Sequence, residues 1–163
     1  MKRRNFFRSG IAGAAGLTLL GNRAIAGNGK TNEGDIIYRT LGKTGIRLPV
    51  VSFGVMRSDN SSLVRAAYEG GMKLFDTAHG YMNGRNEEML GGFFSTLPRE
   101  SFFVATKVKP AGVDSRTGLP SRETTAESFL SMFNLSLSRL KVDYVDILYM
   151  HAADSVEMVR HKE

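Results

Sequence analysis

The stretch Met72-Lys73-Leu74-Phe75-Asp76-Thr77-Ala78-His79-Gly80-Tyr81 decides how the rest of the chain is interpreted. An apolar run stops at a carboxylate, and a tyrosine follows five positions later. This pattern is typical of a buried strand that delivers two ionisable side chains to the loop beyond its end. The alternative is that Asp76 only caps a turn and Tyr81 is an ordinary half-buried aromatic, since Asp is common in turns. The neighbouring segments decide between the two interpretations.

Strand-like and helix-like segments alternate along the chain on both sides of this stretch. Residues 36–41 and 46–49 flank a glycine-bounded turn and predict a β-hairpin. Further strands are predicted at 50–54, 72–78, 101–107 and 144–150. Helices are predicted to start at Asn60 or Ser61, near Asn86, at a capping box of Thr124 and Glu127, and at Asp154 or Ser155.

This alternation favours a parallel sheet covered by helices. An open doubly wound sheet should carry a glycine-rich turn after its first strand to hold phosphate. Here Gly54-Val55-Met56-Arg57-Ser58 contains a single glycine, so the doubly wound interpretation is weakened.

Three successive predicted strands end on different ionisable residues, namely Asp76, Lys107 and His151. The carboxyl ends of parallel strands lie at one edge, so we expect these side chains and Tyr81 to converge there. An ammonium beside Tyr81 would lower the pKa of the phenol, and Asp76 would pair with that ammonium. His151 could donate a hydrogen bond to a substrate oxygen. The sequence therefore predicts a site that donates a proton to a carbonyl oxygen.

Several segments together resemble the amino-terminal half of an aldo-keto reductase. They are Tyr38 to Gly45, Phe75 to Ala78 with Tyr81, Asn86-Glu87, Ala105 to Lys107, and Tyr144 to Asp146 through His151. The resemblance implies an α/β fold, the first four β/α units of a (β/α)₈ TIM barrel with an N-terminal β-hairpin. It implies reduction of an aldehyde or ketone with NADPH or NADH. Tyr81 would be the general acid, assisted by Asp76, Lys107 and His151, and Gly54, Val55, Met56 and Asp76 would bind the nicotinamide end of the cofactor.

The length of the chain departs from this family pattern. A (β/α)₈ barrel takes about 250 residues, and the chain has 163. The resemblance implies that most contacts to the adenosine and phosphates of NADPH come from the second half of the barrel. We therefore expect a truncated chain that holds the proton-transfer residues and lacks most of the cofactor site. The alternative is a catalytically inactive half-barrel that acts as a binding or partner module.

The charge of the chain is concentrated at its start. The net charge is +6, but five of the 22 basic residues lie within positions 1–26, which contain no acidic residue. The remaining chain is nearly neutral, which argues against a nucleic-acid groove.

Residues 1–26 have the layout of an export signal. A basic start precedes an apolar stretch that is too short for a stable membrane span, and Ala24-Ile25-Ala26 offers a cleavage site. The segment Arg3-Arg4-Asn5-Phe6-Phe7 resembles a twin-arginine signal, which implies the Tat export machinery as a partner and a periplasmic location. We expect residues 1–26 to be the signal, 27–35 a linker and 36–163 the reductase part.

Other polar and aromatic residues are given simpler interpretations. His79 is expected to be a loop residue, with contact to substrate as the alternative. Glu87 and Glu88 are expected to be helix-start charges rather than catalytic acids. The chain has no cysteine and three histidines, which leaves little material for a metal site. Six phenylalanines are expected in the core: Phe93, Phe94, Phe102, Phe103, Phe129 and Phe133.

Overall fold

The computed structural model describes residues 36–161, which begin with an antiparallel β-hairpin. Strand β1, Tyr38–Thr40, pairs with β2, Arg47–Pro49. Gly42 and Gly45 adopt φ values of 51° and 77° in the turn, a backbone region that glycine enters without strain. The expected hairpin is confirmed, whereas the predicted signal at 1–26 and linker at 27–35 lie outside the described residues.

A four-stranded parallel sheet follows the hairpin, in the order β3-β4-β5-β6. Its strands are β3 Phe53–Gly54, β4 Leu74–Asp76, β5 Phe103–Val108 and β6 Ile147–Met150. The helices are α1 Ser61–Glu69, α2 Arg85–Phe94, α3 Ala126–Leu140 and α4 Val156–Arg160. The expected alternation of strands and helices is confirmed, although the strands are shorter than predicted. Within residues 36–161, no helix has the length and apolar character that a membrane crossing needs.

Side-chain caps set where the helices start. Asn60 caps α1, because its side-chain oxygen accepts from the amides of Ser62 and Leu63 at 2.9 and 3.3 Å. The predicted Thr124–Glu127 capping box of α3 is wrong by one position. Thr125 and Ser128 form the box instead, because Thr124 is buried and its hydroxyl donates to the Ala111 carbonyl.

The core lies between the sheet and helices α1, α2 and α3. Phe94 stacks on Phe102 with ring centroids 4.2 Å apart, and it meets Phe75 edge to face at 5.5 Å. Phe93, Phe94 and Phe102 are buried as expected. The predicted core position is wrong for the other three phenylalanines, since Phe103, Phe129 and Phe133 are only half-buried.

An ion pair secures the amino-terminal end of the sheet. Asp146, just before β6, accepts from the Val104 amide at 2.8 Å and from Arg99 at 2.7 Å. Arg99 also donates to the carbonyls of Phe102 and Tyr144. This cluster therefore joins β5 to the start of β6 at the edge opposite the strand ends that carry Asp76, Lys107 and His151.

Candidate active site

The carboxyl ends of β4, β5 and β6 bring all four predicted catalytic side chains together. Lys107 Nζ donates to Asp76 Oδ1 at 2.5 Å and lies 5.0 Å from the centre of the Tyr81 ring. The Tyr81 and His151 rings meet edge to face with centroids 5.7 Å apart. The site thus combines a phenol, an ammonium, a carboxylate and an imidazole.

Both the ammonium group and the backbone carbonyl of Lys107 are hydrogen-bonded. Its ammonium donates to Asp76 and, at 2.7 Å, to the Thr77 carbonyl. Its own carbonyl accepts from the His79 amide at 2.9 Å. Two of the three ammonium N–H groups are thereby engaged.

His151 is set directly beside the end of β5. Its amide donates to the Val108 carbonyl at 2.8 Å, which extends the pairing of β5 and β6. Burial lowers the pKa of the imidazole below 6.5, the positive charges of Lys107 and Lys109 lower it further, and Asp76 opposes them. His151 is therefore neutral at neutral pH, with one ring nitrogen as donor.

The backbone that follows Tyr81 is left-handed over three residues. Met82, Asn83 and Gly84 have φ values of 51°, 56° and 88°. The residue after His151 is also left-handed, since Ala152 has a φ of 53°. Non-glycine residues in such regions cost of order 1–3 kcal/mol each and persist only where the surrounding structure enforces them. Strained backbone thus adjoins two of the four site residues.

Three of the four residues predicted to bind cofactor, Gly54 to Met56, lie at the end of β3 and directly after it. Gly54 lies in register with Asp76 of β4, and a Cβ added to it would meet no atom within 4 Å. Met56 is 47% exposed. Val55 differs from both, because its side chain is fully buried and its amide donates to the Asp76 carbonyl. Only Gly54 and Met56 therefore present an open surface at this strand end.

Asn86 holds the loop after β3 in place through hydrogen bonds, a role that the sequence did not indicate. Its buried amide donates to the carbonyls of Val55 at 2.6 Å and Ser58 at 2.7 Å. Its oxygen accepts from the Thr77 hydroxyl at 2.6 Å. One side chain thereby fixes both the loop after β3 and the residue that follows Asp76.

A buried polar cluster lies between β5 and helices α2 and α3. Glu87 has no exposed surface, accepts from the Thr106 hydroxyl at 2.7 Å, and pairs with Arg139 at 3.5 Å. The interpretation of Glu87 as a mere helix-start charge is therefore incomplete. Helical spacing could have predicted the burial of Glu87, since it precedes the buried Leu90 and Phe94 by three and seven positions and so lies on the same face of α2.

His79 lies in the turn after β4, as expected, and its side chain belongs to this cluster. Its Nδ1 is hydrogen-bonded to the Ser136 hydroxyl on α3 at 2.9 Å. Its carbonyl accepts from Arg139 at 3.1 Å. Among residues 36–161, no group of three or more carboxylate or imidazole side chains could hold a metal ion.

Known structures share this arrangement of strands and helices. A thermostable aldo-keto reductase solved with the inhibitor epalrestat matches 71% of the chain with a TM-score of 0.59 and 26% identity, which is 43% of that structure. An aldo/keto reductase from Brucella melitensis matches 71% of the chain with a TM-score of 0.57 and 27% identity, which is 41% of that structure. The described fold is thus the first four β/α units of a (β/α)₈ barrel with an N-terminal hairpin.

Sequence comparison points to the same family. The chain is 33% identical to a probable aldo-keto reductase 1 of Glycine max, over 71% of the chain and 36% of that protein. It is 31% identical to a probable voltage-gated potassium channel subunit beta of Arabidopsis thaliana, over 72% of the chain and 38% of that protein. The chain thus spans about two fifths of the length of these relatives. A model of the aldo/keto reductase family matches residues 51–158, and the chain belongs to that family.

Proposed function

We propose that the chain forms the proton-donating part of an NAD(P)H-dependent reductase that converts an aldehyde or ketone to an alcohol. The observation that carries this proposal is the convergence of Asp76, Tyr81, Lys107 and His151 at one edge of the sheet. Family membership supports oxidoreductase chemistry on carbonyls.

Tyr81 donates its phenolic proton to the carbonyl oxygen as that oxygen gains negative charge. The Lys107 ammonium, 5.0 Å from the phenol ring, stabilises the phenolate that remains. Asp76 holds the ammonium in place and offsets the cost of burying it. Neutral His151 donates a hydrogen bond to the same substrate oxygen and so fixes the orientation of the carbonyl.

The open strand end at Gly54 fits the nicotinamide end of a cofactor. A flat ring can approach Gly54 because no side chain stands there, and Met56 is exposed beside it. When bound, NADPH or NADH supplies the hydride for the carbonyl carbon. We propose that Gly54 and Met56 contact this ring, that Val55 contributes through its backbone position, and that Asp76 borders the site.

The test replaces the proton donor in the longest form of the protein that the gene encodes. Tyr81→Phe should abolish carbonyl reduction and leave NADPH binding nearly unchanged, because only the phenolic oxygen is removed. NADPH oxidation at 340 nm measures the first quantity, and nicotinamide fluorescence measures the second. Near wild-type turnover by Tyr81→Phe would refute the assignment of Tyr81.

A second candidate is a half-barrel that serves as a binding or partner module. The specific observation in its favour is the outer strand β6, where Leu148, Tyr149 and Met150 are 39%, 46% and 42% exposed. One relative is named as a probable potassium channel β subunit, which makes a partner role reasonable for this chain. Measuring NADPH affinity and molecular mass of the 163-residue chain separates the candidates. An inactive chain that forms a defined complex supports this one, and carbonyl turnover supports the first.

We also propose that residues 1–26 direct export through the Tat machinery to the periplasm. The basis is the Arg3-Arg4 pair followed by an apolar stretch and Ala24-Ile25-Ala26. Fusing residues 1–35 to a reporter that is active only after export tests this. Lys in place of both Arg3 and Arg4 should abolish export, and unchanged export by that variant would refute the proposal.

A further inference from the structure

Arg139 of α3 contacts both ends of the segment that carries Tyr81. At one end, its Nη1 donates to the His79 carbonyl at 3.1 Å. At the other end, its guanidinium lies against Gly84, where an added Cβ would come within 2.3 Å of Arg139 Cζ. The left-handed residues Met82 and Asn83 lie between these two contacts. Arg139 thus limits how far the segment from His79 to Gly84 can move.

Glu87 extends this contact to the strand that carries Lys107. One carboxylate oxygen pairs with Arg139 at 3.5 Å. The other accepts from the hydroxyl of Thr106, the residue immediately before Lys107, at 2.7 Å. A continuous set of contacts therefore runs from Lys107 through Thr106, Glu87 and Arg139 to the loop of Tyr81.

Burial makes this link hard to rearrange. Glu87 is fully buried and the Arg139 side chain is 19% exposed. A buried carboxylate that loses its cation is left uncompensated at high cost, so the pair holds one geometry. Ser136, also fully buried on α3, holds the His79 imidazole at 2.9 Å. The cluster is thus built from three separate elements, α2, α3 and β5, around the base of the Tyr81 segment.

We propose that Arg139 and Glu87 are positioning residues that set the separation between Tyr81 and Lys107. The inference rests on the proposed carbonyl reduction, since it assigns the pair a part in that same chemistry. Neither residue touches the substrate. They act through the backbone of Tyr81 and through Thr106.

The experiment uses Arg139→Met, Arg139→Lys and Glu87→Gln in the longest encoded form of the protein. Arg99→Met is the matched control, because Arg99 is also partly buried and paired with a carboxylate, but at the opposite edge of the sheet. For each variant, kcat, the KM for NADPH and the primary deuterium isotope effect with NADPD are measured. Circular dichroism gives the folded fraction.

We expect Arg139→Met to lower kcat by about 10- to 100-fold, the range that a misplacement of roughly 1 Å produces. Its KM for NADPH should stay unchanged, and the isotope effect on kcat should rise because the chemical step has slowed. Arg139→Lys should recover part of the rate through its positive charge, and Glu87→Gln should fall between the two. Arg99→Met should change the folded fraction and leave the isotope effect at the wild-type value.

A loss of rate in Arg139→Met that merely follows the folded fraction, with an unchanged isotope effect, would overturn the proposal. If the wild-type protein reduces no carbonyl, the proposed function fails, and an NMR measurement still decides the positioning role. In that case the ring signals of Tyr81 should shift in Arg139→Met and stay in place in Arg99→Met. Unmoved Tyr81 signals in both variants would overturn the positioning role independently of activity.

Discussion

Two adjacent glycines on α2 should respond in opposite directions to the same substitution. Gly91 faces α3, and a Cβ placed there would lie 2.0 Å from the Arg139 carbonyl oxygen and 2.8 Å from the Leu140 carbonyl carbon. Gly92, one position later, has no atom within 4 Å of its added Cβ. The pair therefore separates helix propensity from helix packing.

The magnitudes follow from these distances. Alanine is favoured over glycine within a helix by about 0.5–1 kcal/mol, so Gly92→Ala should raise the free energy of unfolding by that amount. In Gly91→Ala the backbones of α2 and α3 must separate by more than an ångström to reach ordinary contact. Overpacking of this kind costs about 1–3 kcal/mol or more, so a net loss of roughly 1–2 kcal/mol is expected after the gain in propensity.

Urea denaturation followed by circular dichroism measures both variants. The slope of the transition should stay constant, because a similar surface is exposed on unfolding. Equal stability of Gly91→Ala and Gly92→Ala would refute the close approach of α2 and α3. Since the clash falls on Arg139 itself, Gly91→Ala should also lower kcat if Arg139 positions Tyr81.

Three further predictions concern buried polar groups and helix caps. Asn86→Ala should lower the free energy of unfolding by about 2 kcal/mol or more, since it leaves two buried partners, the Val55 carbonyl and the Thr77 hydroxyl, unsatisfied at about 1–3 kcal/mol each, together with the part-buried Ser58 carbonyl; a loss below 1 kcal/mol in urea titration would contradict this. Asn60→Ala should cost about 1 kcal/mol through loss of the α1 cap, and equal stability of the variant would argue against that cap. Burial lowers the pKa values of His79 and His151 below 6.5, so the unfolded state binds protons first and stability should fall as pH falls below about 6.5. The fall in urea midpoint from pH 7.5 to pH 5.5 should therefore be larger for the wild type than for the double variant His79→Asn, His151→Asn. An equal fall in both proteins would contradict the predicted contribution of the two histidines to the pH dependence.

The order of the strands and helices could be predicted from the sequence because local patterns determine it. The apolar run before Asp76 and the glycine pair Gly70-Gly71 after α1 each act over a few residues. The convergence of Asp76, Lys107 and His151 was also predictable, since parallel strands place their carboxyl ends at one edge. Their proximity in the structure agrees with that reasoning, while their catalytic roles stay predictions.

The contacts within the buried polar cluster of Glu87, Arg139 and His79 could not be predicted, because they join elements that are distant in the sequence. Glu87 meets Thr106 across 19 positions, and Arg139 reaches the His79 carbonyl across 60. Helical spacing places Glu87 on the buried face of α2, but no local pattern indicates which strand or helix it will contact there. The predicted cap of α3 was wrong for a different reason. Thr124 and Thr125 are adjacent, and either side chain can cap a helix.

The strained backbone beside Tyr81 and His151 has a consequence for local stability. Met82, Asn83 and Ala152 hold left-handed conformations that are released when these loops open, so opening them requires less free energy than global unfolding. The amides of Tyr81 and Asn83, bonded within the loop to Ala78 and Gly80, should exchange with deuterium through such local events. The amide of Val104, bonded to Asp146, should exchange only when the whole sheet unfolds. The segment that holds Tyr81 should thus exchange its amides through local opening while the parallel sheet stays folded.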